Sequence, residues 1–217
     1  MLKYLVLDIE TLPHPDAESW LSPVQAAANL KDPVKIAASI AERQADRADK
    51  LGLDPDCLRI CAIGWHLPAD GGDPMCLIAK TEAEEADALR QLAEAYAAPK
   101  GRQETRIVTF YGRSFDLPVL MRRAMYLNVQ FPAISLDRYR SCHVDVHDAL
   151  TFSGALRTAH SLAFYAKRMG FVTSDTVDGG DVRTLAAAGN WEAIRQHCVS
   201  DVQLTYFLAK RLGLLNS

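Results

Sequence analysis

YLVLDIET, residues 4–11, sets two acids at the end of an apolar run, and the reading of that stretch decides the fold. Tyr4, Leu5, Val6 and Leu7 suit a strand, and Asp8 and Glu10 follow two residues apart. On a strand both carboxylates project from one face, close to its carboxyl end. Like charges at that spacing repel, which calls for something positive between them.

A second acid breaks its local pattern near the other end of the chain. Trp191 to Leu212 reads as one helix, and steps of about 100° per residue place Ile194, Cys198, Asp201, Thr205, Leu208 and Leu212 in one stripe. Asp201 then falls within the face expected to be buried, while Gln196, Ser200, Gln203 and Lys210 form a wet back. A buried ionised carboxylate is strongly unfavourable unless it is paired or coordinates a metal. A third segment, YGRSFDLPVL at 111–120, contributes Asp116.

Positions that break the local rule are where function is expected. Hard oxygen ligands suit Mg²⁺ or Mn²⁺, whereas zinc prefers histidine and cysteine. Two such ions about 4 Å apart can activate a water on one side of a phosphodiester and stabilise the leaving oxygen on the other. Asp8, Glu10, Asp116 and Asp201 are enough to bind that pair.

The order of DIET, a glycine followed by SFD, and an acid on the last helix resembles the DEDD superfamily of 3′–5′ exonucleases. Within it the chain is similar to the stand-alone bacterial and phage group related to the exonuclease domain of family B DNA polymerases. Supporting segments are NLKDPVKIAASIAERQ (29–44), FYGRSFDLPVLMRRA (110–124), DGGDV (178–182) and IRQHCVSDVQLTYFLAKRL (194–212). The resemblance implies an α/β, ribonuclease-H-like fold, a mixed β-sheet flanked by helices. Asp8 and Glu10 would lie on the first strand, Asp116 at the start of a helix and Asp201 on a late helix. Together they would hold two Mg²⁺ or Mn²⁺ ions at the 3′ end of single-stranded DNA or RNA.

The resemblance also assigns a role to position 197. One branch of the superfamily has Tyr four residues before the last Asp, and the other has His five before it. This chain has His197 at the tyrosine spacing and Gln196 at the histidine spacing. One helical turn stacks His197 over Asp201, so the ring can face the metal site. An imidazole titrates near neutral pH and can take a proton from the attacking water, where a phenol mostly orients it. Tyr111 is a second departure, since relatives often carry Asn just before the glycine. Thr11, Leu12, Phe115 and Tyr111 are the candidate substrate contacts, the apolar ones stacking on bases without regard to sequence.

Composition agrees with these expectations without producing them. With 217 residues and 49% hydrophobic content the chain can bury a sizeable core, most economically as one α/β domain. A net charge of −3 argues against broad, sequence-blind wrapping of duplex but leaves room for a local groove. Five cysteines, at 57, 61, 76, 142 and 198, form no CxxC pair and read as reduced, mostly buried thiols of a cytosolic protein. Asp8 interrupts the opening apolar run, so no signal peptide is visible. No stretch approaches the roughly 20 apolar residues that cross a bilayer. A soluble, cytoplasmic protein without membrane contact is expected.

Strands are expected near 3–10, 58–67, 75–80, 106–111 and 142–146. Helices are expected over 82–97, after Asp116, and near 159–169, 181–188 and 191–213. Strand and helix alternation of this kind suits a mixed sheet with helices on its faces. The whole of 1–217 reads as a single exonuclease domain with a helical insertion at about 13–56. In that insertion Asp32 and Pro33 form an N-cap and first-turn proline for a helix to about Lys50. Lys31, Lys35 and Arg43 there are possible phosphate contacts beside the site.

CHVDVHD at 142–148 invites a zinc reading, with 143, 145 and 147 on one face if it is a strand. The partner ligands of a closed site are not evident, so Asp145 or Asp148 is expected to cap a turn or helix. His160 reads as a helix start or a phosphate contact, and Asp178 and Asp181 as a turn and helix cap. Two other functions fit the same residues: a catalytically weak nucleic-acid-binding module of this fold, and a small-nucleotide phosphodiesterase.

Overall fold

The alternation of Tyr4 and Val6 with Leu5 and Leu7 is that of a strand covered on both faces, and all four are buried. The computed structural model describes residues 3–97, 105–137, 142–171, 177 and 179–215. Its elements in chain order are β1 (Lys3–Pro13), α1 (Ala17–Trp20), α2 (Pro33–Lys50), β2 (Leu58–His66), β3 (Met75–Ile78), α3 (Glu82–Ala97), β4 (Thr105–Thr109), α4 (Asp116–Tyr126), β5 (His143–Asp145), α5 (Val146–Leu150), α6 (Leu162–Arg168), α7 (Val182–Ala187) and α8 (Trp191–Arg211). The strands form one sheet in the order β3-β2-β1-β4-β5. β1 runs parallel to β4 and β4 parallel to β5, whereas β2 and β3 are antiparallel. The sheet is therefore mixed, as expected.

The chain divides into two compact units, Met1–Glu10 with Ile60–Ser217, and Thr11–Arg59. In the larger unit Tyr4, Val6 and Val108 pack with Leu162 and Ala166 of α6 and Val202, Leu204, Leu208 and Ala209 of α8. Burying a leucine of this kind contributes about 1.5–3 kcal/mol. By strand alternation Asp8 and Glu10 project to the same side as Tyr4 and Val6, the side that α8 covers. Buried Leu89 and Leu92 of α3 and Leu117 and Leu120 of α4 supply further core.

A buried ion pair braces the larger unit. Glu85 of α3, fully buried, accepts Arg123 Nε at 2.7 Å and the Ile60 N–H at 2.9 Å. Arg123 of α4 also reaches the second Glu85 oxygen at 2.8 Å. The fork geometry satisfies a charge that burial would otherwise make costly.

In the smaller unit the Asp32 side chain accepts the Val34 N–H at 2.9 Å and Pro33 opens the first turn, so α2 starts where its cap was read. None of its residues is buried, and Ile36 and Ile40 are half-buried. Arg43 donates to the Gln25 carbonyl at 3.3 Å and Arg47 to the Ser22 carbonyl at 2.9 Å. Lys31 and Lys35 are exposed.

Several boundaries differ from the sequence expectation. β1 continues to Pro13, three residues past its expected end, and β4 stops at Thr109. β5 ends at Asp145, whose side chain caps α5 by accepting the His147 N–H, so His147 leaves the strand face on which alternation would have put it. α6 starts at Leu162 because Ser161 caps it. On α8, Ile194, Cys198, Thr205 and Leu208 are buried as the stripe requires, but Leu212 is 41% exposed just past the last turn. Asp201 is half-buried on that stripe. Asp181 occupies the N-cap position of α7 without a side-chain capping bond, and Asp178 lies outside the described residues. All five cysteines are free, and only Cys142 among them is not buried. Among the described residues no helix is long and apolar enough to cross a membrane.

Candidate active site

Asp8 sits in the middle of β1, with Glu10 two residues on, and two other segments bring acids to them. Burial, followed by the charges of Glu10, Asp201 and Asp116, holds the Asp8 carboxyl well above the usual carboxylate range. Asp116 begins α4 and is buried. Burial pushes it up to about 7 and Asp145 and Asp201 add to this, while its own N–H and the Ile9 N–H hold it back. The Ile9 amide lies between Asp8 and Glu10 in β1, so one backbone group ties the helix acid to the strand acids. These carboxylates are electrostatic neighbours although they are up to 193 positions apart in the chain.

α8 supplies the remaining side of the site. His197 is buried, and its Nε2 lies 3.6 Å from Glu10 Oε1. It thus stands against the strand acids as the one-turn spacing from Asp201 requires. Cys198, fully buried, places its thiol 3.8 Å from the Asp8 carbonyl oxygen. Ligand atoms of Asp8, Glu10 and Cys198 lie within 4.8 Å of one another, the group among the described residues that could hold a metal ion.

The loop leading to Asp116 is shaped by close contacts. A Cβ on Gly112 would lie 2.2 Å from Thr109 Oγ1, so only glycine fits there. The Thr109 hydroxyl accepts the Gly112 N–H at 3.1 Å and meets His143 Nε2 at 2.8 Å. Burial pushes His143 down to about 4, against the opposing pull of Asp145, which keeps the imidazole neutral. Asp145 accepts the N–H groups of Tyr111 and Arg113, each at 3.0 Å, as well as that of His147 at 2.9 Å. Arg113 pairs with Asp148 at 2.9 Å. The CHVDVHD segment is therefore occupied by capping and bracing bonds.

Tyr111 has φ of 65° and its ring is 49% exposed, packing edge-on against His147 at 4.7 Å between centroids. Asparagine tolerates that left-handed backbone several-fold better than most residues. Tyrosine therefore keeps this conformation under strain. Phe115, half-buried, stands at the N-cap position of α4. Thr11 and Leu12 belong to the smaller unit; the Thr11 hydroxyl donates to the Gly52 carbonyl at 2.7 Å, and Leu12 is buried. His160 stacks on Phe164 at 3.9 Å beside the Ser161 cap.

Asp8, Glu10, Asp116, Asp201 and His197 are brought together. Sequence reasoning missed the two supports behind them, Asp145 under the Asp116 loop and Cys198 against Asp8. Cys198 was legible in principle, because it shares the helical stripe of Asp201. The capping of α5 by Asp145 was expected from the sequence, but its bonds to the Tyr111 and Arg113 amides were not, because those amides lie in a loop that no periodicity describes.

The donor set fits hard divalent cations. Glu10, Asp201 and Asp116 raise the proton affinity of Asp8, and Asp201 adds to that of Asp116; a cation among the four would relieve that repulsion.

Comparison with known proteins bears on the same residues. A family described as predicted 3′-5′ exonuclease related to the exonuclease domain of PolB matches residues 57–217, which include Asp116, His197 and Asp201. No curated protein matches the chain. The family B DNA polymerase of the hyperthermophilic archaeon Pyrobaculum calidifontis is similar in structure, with a TM-score of 0.59 at 15% identity. That likeness covers 98% of this chain and 24% of the polymerase chain, and it shows that the mixed α/β fold is shared with that part of the polymerase.

Proposed function

Since the chain belongs to the family of predicted 3′–5′ exonucleases related to the exonuclease domain of PolB, we propose that it hydrolyses single-stranded nucleic acid from the 3′ end. The products are nucleoside 5′-monophosphates. The observation that carries this reading is the convergence of Glu10, Asp116 and Asp201 on Asp8, with His197 against Glu10. We take residues 1–217 as one exonuclease domain with an insertion at about 13–56, acting in the cytoplasm.

Asp8, Glu10, Asp116 and Asp201 would hold two Mg²⁺ or Mn²⁺ ions. When bound, such ions supply charge for the attacking and leaving oxygens of an in-line displacement. His197 orients the attacking water from beside Glu10 and accepts its proton. Asp145 fixes the loop of Tyr111 and Arg113, so that Asp116 enters the site at a set angle. Tyr111 and Phe115 contact the terminal nucleotides; stacking on an aromatic face is tolerant of sequence. DNA is the preferred substrate on the polymerase relationship, and RNA is the comparison to make.

Digestion of 5′-labelled single-stranded DNA, single-stranded RNA and duplex with Mg²⁺ or Mn²⁺ tests the reading, with Asp8→Ala as control. Stepwise shortening from the 3′ end is expected for wild type alone. Cleavage by Asp8→Ala at the wild-type rate would show that the acids are misassigned. Binding of the single strand without any cleavage by wild type would favour a binding module instead.

A further inference from the structure

A further set of contacts reaches Asp8 from α8 and β2. Cys198 is fully buried on α8, one residue after His197 and three before Asp201. Its Sγ approaches the Asp8 carbonyl oxygen at 3.8 Å and belongs to a group of ligand atoms, with those of Asp8 and Glu10, that lie within 4.8 Å of one another. This close approach has a visible cause in β2. A Cβ at Gly64 would lie 2.7 Å from Cys198 Sγ and 3.1 Å from Val202 Cγ2, so the bare glycine is what admits the thiol. A glycine inside a strand weakens it, and close approach of another element is the usual reason for one.

The thiol is also held from behind. Cys76 of β3 pairs in the antiparallel register with Gly64, the residue that Cys198 packs against. The Cys76 carbonyl in turn accepts from the Arg195 guanidinium, one turn before Cys198 on the same helix. Gly64, Cys76 and Arg195 together set where the Cys198 thiol meets Asp8.

We infer that Cys198 is a positioning residue that holds Asp8 in the orientation needed to bind a divalent cation, with Gly64 and Cys76 setting where its thiol sits. The inference rests on the proposed role of Asp8 as a metal ligand. A thiol suits the task because it is a weak donor that brings no positive charge to compete with the cation. Partners that orient metal ligands typically matter by about 10–100-fold in metal affinity when removed.

Calorimetric titration of the full chain with Mn²⁺ alone tests this, run on wild type, Cys198→Ala, Cys198→Ser, Gly64→Ala and Asp8→Ala. Cys198→Ala is expected to bind Mn²⁺ about 10-fold more weakly, and Cys198→Ser, which keeps a donor, to recover most of that loss. Gly64→Ala should weaken Mn²⁺ binding in the same direction by displacing the thiol. In the nuclease assay, kcat of Cys198→Ala should fall while KM for the single strand holds. Cys142→Ser, which alters a thiol paired with the Tyr96 hydroxyl, should leave Mn²⁺ affinity as it is.

Wild-type Mn²⁺ affinity in a Cys198→Ala protein overturns the inference, and so does a Cys198→Ser protein as weak as Cys198→Ala with an unchanged unfolding temperature. An intense near-ultraviolet sulfur-to-cobalt charge-transfer band on Co²⁺ titration also overturns it, by making Cys198 a ligand itself. If Asp8→Ala binds Mn²⁺ as wild type does, the assignment of Asp8 fails as well. If Asp8→Ala abolishes binding and Cys198→Ala does nothing, only the positioning role fails.

Discussion

Two places in the larger unit bury carboxylates, and they resolve the charge in opposite ways. Glu85 meets a buried guanidinium and a backbone N–H, so its charge is answered from within the fold. Asp8 and Asp116 meet other acids, and both are held above the usual carboxylate range. The first arrangement is a brace between α3, α4 and β2. The second is a repulsive cluster that the rest of the fold keeps in place.

The largest effect that would sharpen this contrast is on catalysis. Asp8→Ala and Asp116→Asn should each reduce nuclease activity to the background of a labelled-oligonucleotide assay. The same changes should leave the metal-free protein as stable as wild type or more so at pH 8. Asp116 ionises at about 7 when folded, against about 3.9 for an unfolded aspartate. The folded state therefore holds its proton longer, and stability falls as pH rises from about 4 through about 7. Asp116→Asn should remove that part of the slope in metal-free thermal melts; an unchanged slope would break the comparison.

At the brace the sign reverses. Glu85→Ala leaves the buried Arg123 with only exposed Glu82, at 3.2 Å, as partner and should destabilise the protein by about 3 kcal/mol in urea melts. Replacing both residues with apolar ones of similar size should restore most of the loss. An Asp116 variant that destabilised as much as Glu85→Ala would mean that the two sites are alike after all.

Smaller effects concern the groups around the acids. His197→Ala should lower kcat by about 10²-fold with little change in Mn²⁺ affinity, because the ring acts on water and not on the metal. Tyr111→Asn should raise stability by about 0.5–1 kcal/mol by relieving the left-handed backbone. If the exposed ring stacks on a base, the same change should weaken binding of single-stranded DNA, read by fluorescence anisotropy.

Local periodicity explains how much of this was legible. α3 begins and ends where its pattern of Leu89, Leu92 and flanking charges requires, and α2 begins at the Asp32-Pro33 cap. The acids were found because they violate such patterns, Asp8 at the end of an apolar strand and Asp201 on a buried stripe. What stayed hidden depends on tertiary contact. The split of CHVDVHD into a strand and a helix follows from capping by Asp145, and the use of Gly64 follows from a helix crossing the sheet above it. Leu212 kept the helical phase but emerged into solvent because the helix had ended.

The bonds that Asp145 makes bear on how the site edge opens in time. One carboxylate holds amides on both sides of a sheet-edge crossing, those of Tyr111, Arg113 and His147. None can be released without disturbing the anchor that the others share. In hydrogen exchange these amides should therefore behave as a single cooperative opening unit with one common free energy, slower than the loops' position alone would give. The loop that presents Asp116 would then breathe together with the start of α5 and not by itself.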